Sequence, residues 1–134
     1  FYRPRYILCA PARARNTMEL EQIIQLVEGE VLTGGFDMSR QVKGGCGADL
    51  MSDVLAYIGP GALLLTGLCS AQVVRTAQMA DVAAIVFVRG KRPSLDTIAL
   101  ANQERIPLIT SAHGMFELCG RLHQAGLRSL ETPA

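Results

Sequence analysis

The sequence predicts an α/β fold: a three-layer open sandwich in which helices cover both faces of a mainly parallel sheet. Two features of the second half of the chain predict it. Three apolar runs there are continuous rather than alternating, and each is followed by apolar residues at helical spacing. Continuous apolar strands are typical of a parallel sheet that is buried on both faces. Strands that alternate with helices build such a sheet through right-handed crossovers.

The first half of the chain predicts two helices and short strands. The first helix carries apolar residues at helical spacing and is expected to end at Gly29. The second is amphipathic and runs to Ile58, with Ala48 or Asp49 at its opening. Short strands are expected over residues 30–33 and 41–43, and residues 44–47, with three glycines, read as a loose loop.

The second half adds three strand–helix units. The first of its helices is expected to begin near Ser70 and the next near Leu95. The strands are expected over residues 62–66, 82–88 and 106–110. The last helix is expected to place four apolar residues on one face, namely Met115, Phe116, Cys119 and Leu122.

Composition excludes several function classes. The 134 residues are 49% apolar and 19% charged, as in a single globular domain. A net charge of +1 leaves no electrostatic footprint for duplex DNA or an anionic membrane. Aromatic residues make up 5% with no Trp, which argues against a stacking platform for single strands. No apolar run is long enough to span a membrane, so we expect no nucleic-acid and no membrane partner.

The chain divides into three predicted parts. Residues 1–17 hold four arginines and no acid, and Met18 could be a natural start, so these residues are expected to be an irregular or appended arm. Residues 18–128 form the α/β domain, and residues 129–134 form a C-terminal tail.

The four cysteines predict a reduced, cytoplasmic protein. Cys9, Cys46, Cys69 and Cys119 are scattered, without a CxxC pair or a Cys/His cluster, which argues against zinc and against a disulfide scaffold. Cys119 is expected in the core. Cys69 precedes a helix start, where a thiol can be reactive, but a small buried residue is the favoured interpretation.

The candidate binding site lies at the carboxyl ends of the parallel strands. Open α/β sheets bind ligands there, and each helix that begins there offers free N–H groups to an anion. We expect an anionic, phosphate-bearing small molecule, with Arg92 pointing to solvent. The alternative is that the serines only cap helices and the cations are solvated. The candidate ligand-binding residues are Thr66, Ser70, Arg89, Lys91, Ser111 and His113.

The sequence predicts no metal site, and the cofactor stays unknown. Asp49 and Asp53 are four residues apart and share a helix face, so they are weak candidates for a cation. The favoured interpretation is that Asp49 caps the helix and that both carboxylates favour the positive end of the helix dipole. A hard metal ion usually requires more oxygen ligands than two carboxylates supply.

Enzyme signatures are missing from the sequence. No phosphate-binding loop, dinucleotide fingerprint or nucleophile elbow occurs. One alternative is a small enzyme that acts on a phosphorylated metabolite, which would need His113 to meet Cys69 or Ser70. The other is a purely structural subunit that serves assembly.

A family resemblance supports a non-catalytic function. The segments GCGADLMSDVLAYI and AAIVFVRGKRPSLDTIALANQERIPLITSAHGMFELCGRL, with the apolar strand between them, resemble the DRTGG domain over residues 19–127. At the places of the name motif the chain reads Thr66-Gly67-Leu68-Cys69 and Val88-Arg89-Gly90, so it resembles a divergent, stand-alone member. The resemblance implies a regulatory or subunit-association module, often fused to CBS domains, phosphotransacetylases or pyrophosphatases. It supplies no catalytic residue.

Self-association is also expected. A short sheet in a chain of this apolar content leaves more apolar surface than one small domain covers, and two-fold pairing is the commonest way to bury it. The predicted faces are the helix within DLMSDVLAYI and the edge strand over residues 41–43. A nucleotide, another phosphorylated small molecule and a separate protein are the other expected partners.

Overall fold

The computed structural model describes residues 17–133, so the predicted arm, except for Thr17, lies outside the described residues. Short strands and an initial helix come first, and three strand–helix units follow. The elements are β1 (Met18–Glu19), α1 (Leu20–Val27), β2 (Glu30–Val31), β3 (Gln41–Val42), β4 (Gly44–Gly47), α2 (Met51–Tyr57), β5 (Ala62–Thr66), α3 (Ala71–Met79), β6 (Ala84–Phe87), α4 (Leu95–Gln103), β7 (Leu108–Thr110) and α5 (Met115–Gln124).

The main sheet has five strands in the order β2-β7-β6-β5-β4. Strands β4 to β7 are parallel, and the edge strand β2 pairs antiparallel with β7. Strands β1 and β3 form a separate antiparallel pair. The predicted fold class is confirmed, since helices pack on both faces of this mainly parallel sheet.

The central strand, β6, shows why the apolar runs of the sequence are continuous. Along β6, the side chains of Ala84 and Val86 enter one core and those of Ile85 and Phe87 enter the other. Helices α1 and α5 close the first core, whereas α2, α3 and α4 close the second. Because neither face meets water, neither set of positions tolerates a polar side chain.

Residues 44–47 form strand β4 rather than the expected loop, which corrects the prediction. A Cβ on Gly47 would lie 3.1 Å from the Sδ of Met115, and one on Gly45 would lie 3.2 Å from the Cδ2 of Leu127. These glycines therefore serve the close approach of α5 and the segment after it, not chain reversal.

The outer edge of β4 is covered by the end of the described chain. The amide of Gly45 donates to the carbonyl of Arg128 at 2.9 Å, and the amide of Leu130 donates to the carbonyl of Gly45 at 3.0 Å. The amide of Gly59 donates to the carbonyl of Leu130 at 2.9 Å. Residues 128–132 thus shield an edge that would otherwise offer unpaired backbone groups. The division of the chain at residue 128 stays a prediction.

Two helix details also differ from expectation. Asp49 does not cap α2, because the capping position is Leu50, which provides no side-chain bond. Helix α5 buries Leu118 and Leu122, whereas Phe116 is 94% exposed. Helix α5 therefore packs on the sheet through positions four residues apart, and Phe116 lies on its outer side.

Alanine substitution at two glycines should separate close approach from helix propensity. A Cβ at Gly44 would lie 2.8 Å from the carbonyl oxygen of Arg128, so Gly44→Ala forces the covering segment away and should cost about 1–3 kcal/mol. Gly120, in the middle of α5, has open space around it, and Gly120→Ala should add about 0.5–1 kcal/mol. Urea unfolding measures both, and equal effects of the two substitutions would contradict this packing.

Candidate functional site

The site is built from the loops at the carboxyl ends of β4 to β7. Each loop leads into a helix, so the amino termini of α2, α3, α4 and α5 all follow this edge of the sheet. Parallel pairing of the four strands brings these loops side by side. The first of them holds Asp49, the second Gly67 and Ser70, the third Arg89 and Lys91, and the fourth Ser111 and His113.

A carboxylate is anchored between the first two loops. The Oδ1 atom of Asp49 accepts hydrogen bonds from the hydroxyl of Thr66 at 3.0 Å and from the amide of Gly67 at 2.8 Å. The hydroxyl of Thr66 also accepts from the amide of Leu68 at 3.1 Å. Thr66 is fully buried, so these contacts satisfy a hydroxyl that has no access to water.

Lys91 lies across Gly67 from this carboxylate. A Cβ placed on Gly67 would be 3.7 Å from Asp49 Oδ1 and 3.8 Å from the Cε of Lys91. Gly67, which has no side chain, therefore lies between the carboxylate of Asp49 and the side chain of Lys91. Lys91 itself is exposed.

Arg89 stands on a strained turn. Its φ is 59°, in the left-handed region that a non-glycine residue rarely adopts, and the φ of Gly90 is 67°. The turn is fixed by backbone bonds to the next loop: the amide of Arg89 donates to the carbonyl of His113 at 2.8 Å, and that of Gly90 to the carbonyl of Ser111 at 2.7 Å. The exposed guanidinium of Arg89 therefore projects from a rigid backbone.

Ser111 and His113 are engaged within the fold instead. The buried hydroxyl of Ser111 donates to the carbonyl of Val27 at 2.6 Å, at the end of α1. The Nε2 atom of His113 lies 2.6 Å from the Oε1 of Glu28. The structure therefore turns the side chains of these two residues toward α1, whereas that of Lys91 lies beside Gly67, the residue after Thr66.

Glu28 is the centre of a small charged network. Arg121 lies 3.5 Å from its carboxylate, and the Nε of Arg121 donates to Glu117 at 2.8 Å. The hydrogen bond from His113, together with the charges of Arg121 and His113, holds the pKa of Glu28 below its usual value. Glu28 also has a left-handed backbone, with φ 52°, because it ends α1.

The remaining polar residues of the site divide between caps and ion pairs. Ser94 caps α4, since its hydroxyl accepts from the amide of Thr97 at 3.2 Å. Ser70 stands at the capping position of α3 without a side-chain bond and is exposed. Arg92, expected to point to solvent, is exposed and forms a surface ion pair with Glu30 on β2.

No arrangement suited to metal chemistry occurs among residues 17–133: no three His, Cys, Asp or Glu side chains are grouped to hold an ion. Asp49 is occupied on one oxygen by Gly67 and Thr66, and Asp53 lies in the first turn of α2. In the same range, no hydrogen bond joins His113 to Cys69 or Ser70; the Sγ of Cys69 lies 3.8 Å from the carbonyl of Gly67.

Two other cysteines line a separate cleft of about 150 Å³ between β4, α5 and the covering segment. Burial, with Glu131 nearby, raises the pKa of the Cys46 thiol to about 12, and burial raises that of Cys119. Cys119, expected in the core, is only partly buried. These thiols are protonated at neutral pH. Cys9 lies outside the described residues.

Among the described residues, none of the helices has the length and apolar content that a membrane span requires.

The fold and this edge define a class: a small three-layer α/β domain whose polar groups gather where the parallel strands end. The family model of the DRTGG domain matches residues 22–125, which is most of the chain. The protein therefore belongs to the DRTGG domain family, as the resemblance indicated. Curated proteins provide no match.

One solved structure with the same fold comes from Clostridium perfringens. It is the CBS and DRTGG domains of the regulatory region of a pyrophosphatase, complexed with its activator diadenosine tetraphosphate. The TM-score is 0.67 at 20% sequence identity, and the match covers 85% of this chain. This chain spans about half the length of that one. In that protein the DRTGG domain is part of a regulatory region.

The sequence interpretation missed the role of Asp49. It assigned this residue to a helix cap or to a metal, whereas the structure places its carboxylate on the Gly67 loop. The signal available was its position: an acid two residues after the end of one strand, beside a glycine directly after the neighbouring strand. That adjacency requires knowing that residues 44–47 are a strand, which glycine content concealed.

The Glu28 network predicts an acid-sensitive contribution to stability. Because its folded-state pKa is below the ordinary 4.5, ionised Glu28 stabilises the fold above that pH, and this stabilisation is lost as pH falls through the lower value. We expect Glu28→Gln to lower the unfolding temperature at pH 7. The difference from wild type should shrink below pH 4.5.

The control is Glu21→Gln on the same helix, since Glu21 forms no ion pair in the described part of the chain. It should leave the pH profile of thermal unfolding unchanged. A Glu28→Gln effect that is constant from pH 3 to pH 7 would rule out the proposed linkage.

Proposed function

We propose that this protein is a non-catalytic regulatory domain that senses an anionic, phosphate-bearing small molecule, most specifically a nucleotide. The ligand binds at the carboxyl ends of the parallel strands, with Arg89 and Lys91 as its main anion contacts. Family membership and the regulatory neighbour with its nucleotide activator support this class of function. The exposed charges of Arg89 and Lys91 support the location of the proposed site at the strand ends.

The observation that carries the proposal is the position of two exposed cations, without an ion-pair partner among the described residues, at the carboxyl end of β6. Arg92 and Arg121 each have a carboxylate partner within the described residues. Arg89 and Lys91 are exposed, and no carboxylate of residues 17–133 lies within ion-pair distance of either. Both follow β6, at the position where open α/β sheets bind ligands. Cations next to the start of α4 oppose its dipole, and a bound anion reverses that cost.

Backbone and side-chain hydrogen bonds link the candidate site to α1. The turn at Arg89 is bonded to the loop of residues 111–113, and Ser111 in that loop is bonded to the end of α1. A ligand that orders the Arg89 side chain therefore acts on a segment that is already coupled to α1. His113 is paired with Glu28, which supports a role in this coupling rather than in catalysis.

The proposed sensor also self-associates as a two-fold dimer through α2. The helix region from Leu50 to Tyr57 exposes three large apolar side chains, Leu50 at 60%, Leu55 at 49% and Tyr57 at 41%. Water exposure of such a group is unfavourable, and isologous packing of the two copies removes it. The other face named from the sequence, residues 41–43, is paired with β1 at Gln41 and Val42, so α2 is the favoured surface.

Removal of the two cations tests the ligand site. The variant Arg89→Ala/Lys91→Ala should bind ATP or diadenosine tetraphosphate at least tenfold more weakly than wild type, because each charge-assisted bond contributes about 1.5–3 kcal/mol. Isothermal titration measures the affinity. The matched control Arg75→Ala/Arg92→Ala removes the same charge from an exposed site on α3 and from the ion pair with Glu30. Equal losses in both variants would refute a specific site.

A charge placed on α2 tests the dimer. Leu55→Asp should convert the dimer to a monomer in light scattering at micromolar concentration, since an ionised carboxylate is costly to bury at a two-fold contact. Leu95, 83% exposed on α4, supplies the control Leu95→Asp, which should remain dimeric. A wild type that is monomeric at that concentration would contradict the proposed assembly.

A further inference from the structure

The anchored carboxylate of Asp49 has one oxygen engaged and one free. All of its hydrogen bonds with described residues reach Oδ1, from the hydroxyl of Thr66 and the amide of Gly67. The residue is exposed, and its Oδ2 atom accepts no hydrogen bond from the described residues. Two fixed donors hold the carboxylate plane, which leaves a pre-oriented acceptor beside the cationic group of Lys91.

This geometry excludes one way of binding phosphate. The amide of Gly67 is the donor that a phosphate would use at the start of the β5–α3 loop, and it is already bonded to Asp49. A carboxylate at the same place repels a bare phosphate. The part of the ligand that lies over Gly67 must therefore be a hydrogen-bond donor, not an anion.

We infer that Asp49 is a specificity-determining residue that accepts a hydrogen bond from a sugar hydroxyl of the ligand, while Lys91 and Arg89 hold its phosphates. The inference rests on the proposed function and narrows it to ribonucleotides over inorganic polyphosphates. Acidic side chains that follow a strand recognise ribose hydroxyls in dinucleotide-binding sheets for the same chemical reason. Here the acid and the cation flank a single glycine, so one ligand can contact both.

Gly67 forms the backbone surface over which the sugar is proposed to lie. A methyl group there would meet Asp49 Oδ1, Val88 Cγ2 and Lys91 Cε at 3.7–3.8 Å, which is ordinary contact, and the free protein can accept it. The methyl would nevertheless occupy part of the space that the proposed site gives to the sugar. Gly67→Ala should therefore leave the unfolding midpoint unchanged and weaken ATP binding about tenfold.

The decisive variant is Asp49→Asn. An asparagine can still accept from Thr66 and Gly67 through its amide oxygen, so the loop keeps its anchor, but the free oxygen is replaced by a donor and the charge is lost. Isothermal titration in EDTA should show about tenfold weaker binding of ATP and tighter binding of inorganic tripolyphosphate. Affinity for 2′,3′-dideoxy-ATP should not fall, because that nucleotide lacks the hydroxyls that Asp49 reads.

The outcomes separate the two levels of the proposal. If wild type binds none of the three probes, the proposed function fails and the inference fails with it. If wild type binds ATP and dideoxy-ATP equally, or if Asp49→Asn weakens tripolyphosphate as much as ATP, the inference is wrong and the proposed function stands. A preference for ATP that requires added Mg²⁺ would also overturn it, since Asp49 would then be a metal ligand.

Discussion

Burial of β5 and β6 on both faces is the constraint on which the rest of the structure depends. Every side chain of β5 is enclosed, including the hydroxyl of Thr66, the last residue of the strand. A buried hydroxyl needs partners, and it finds them in Asp49 and the amide of Leu68. The need of the buried Thr66 hydroxyl for a hydrogen-bond partner therefore positions the carboxylate of Asp49 in the loop. Polar chemistry is confined to the strand ends because the strands themselves have no room for it.

The end of α1 imposes a second constraint on the same edge. Its last carbonyls have no partner within the helix, and they are satisfied by Ser111 on Val27 and by the guanidinium of Arg121 on Leu26. His113 then pairs with the residue that ends the helix, Glu28. These side chains are the structural joint between α1 and the β7–α5 loop. Their engagement leaves Arg89 and Lys91 as the free cations of the predicted set.

The sequence allowed the layers to be predicted because apolar periodicity reports burial directly. It placed β5, β6 and β7 within two residues of their observed bounds at each end. It failed at β4, where glycines pack against Met115 and Leu127, and local pattern cannot distinguish close packing from a turn. Arg89 and Lys91 lie in the loop after β6, and Thr66 ends the neighbouring strand β5, as the apolar pattern predicted. The inward direction of Ser111 could not be predicted, because its partner lies 84 residues away in the chain.

The conformation of Arg89 connects stability to the proposed ligand. A left-handed backbone at a residue with a Cβ costs on the order of 1 kcal/mol, whereas the next residue, Gly90, adopts it without that cost. The fold bears that cost because bonds to the carbonyls of Ser111 and His113 fix the turn. Packing does not require a guanidinium at this exposed position, and the proposed anion contact gives the side chain a role there. The neighbouring charges of Asp49 and Lys91 sum to zero, and in the proposed site they would together recognise a ligand that brings both a hydroxyl and a phosphate.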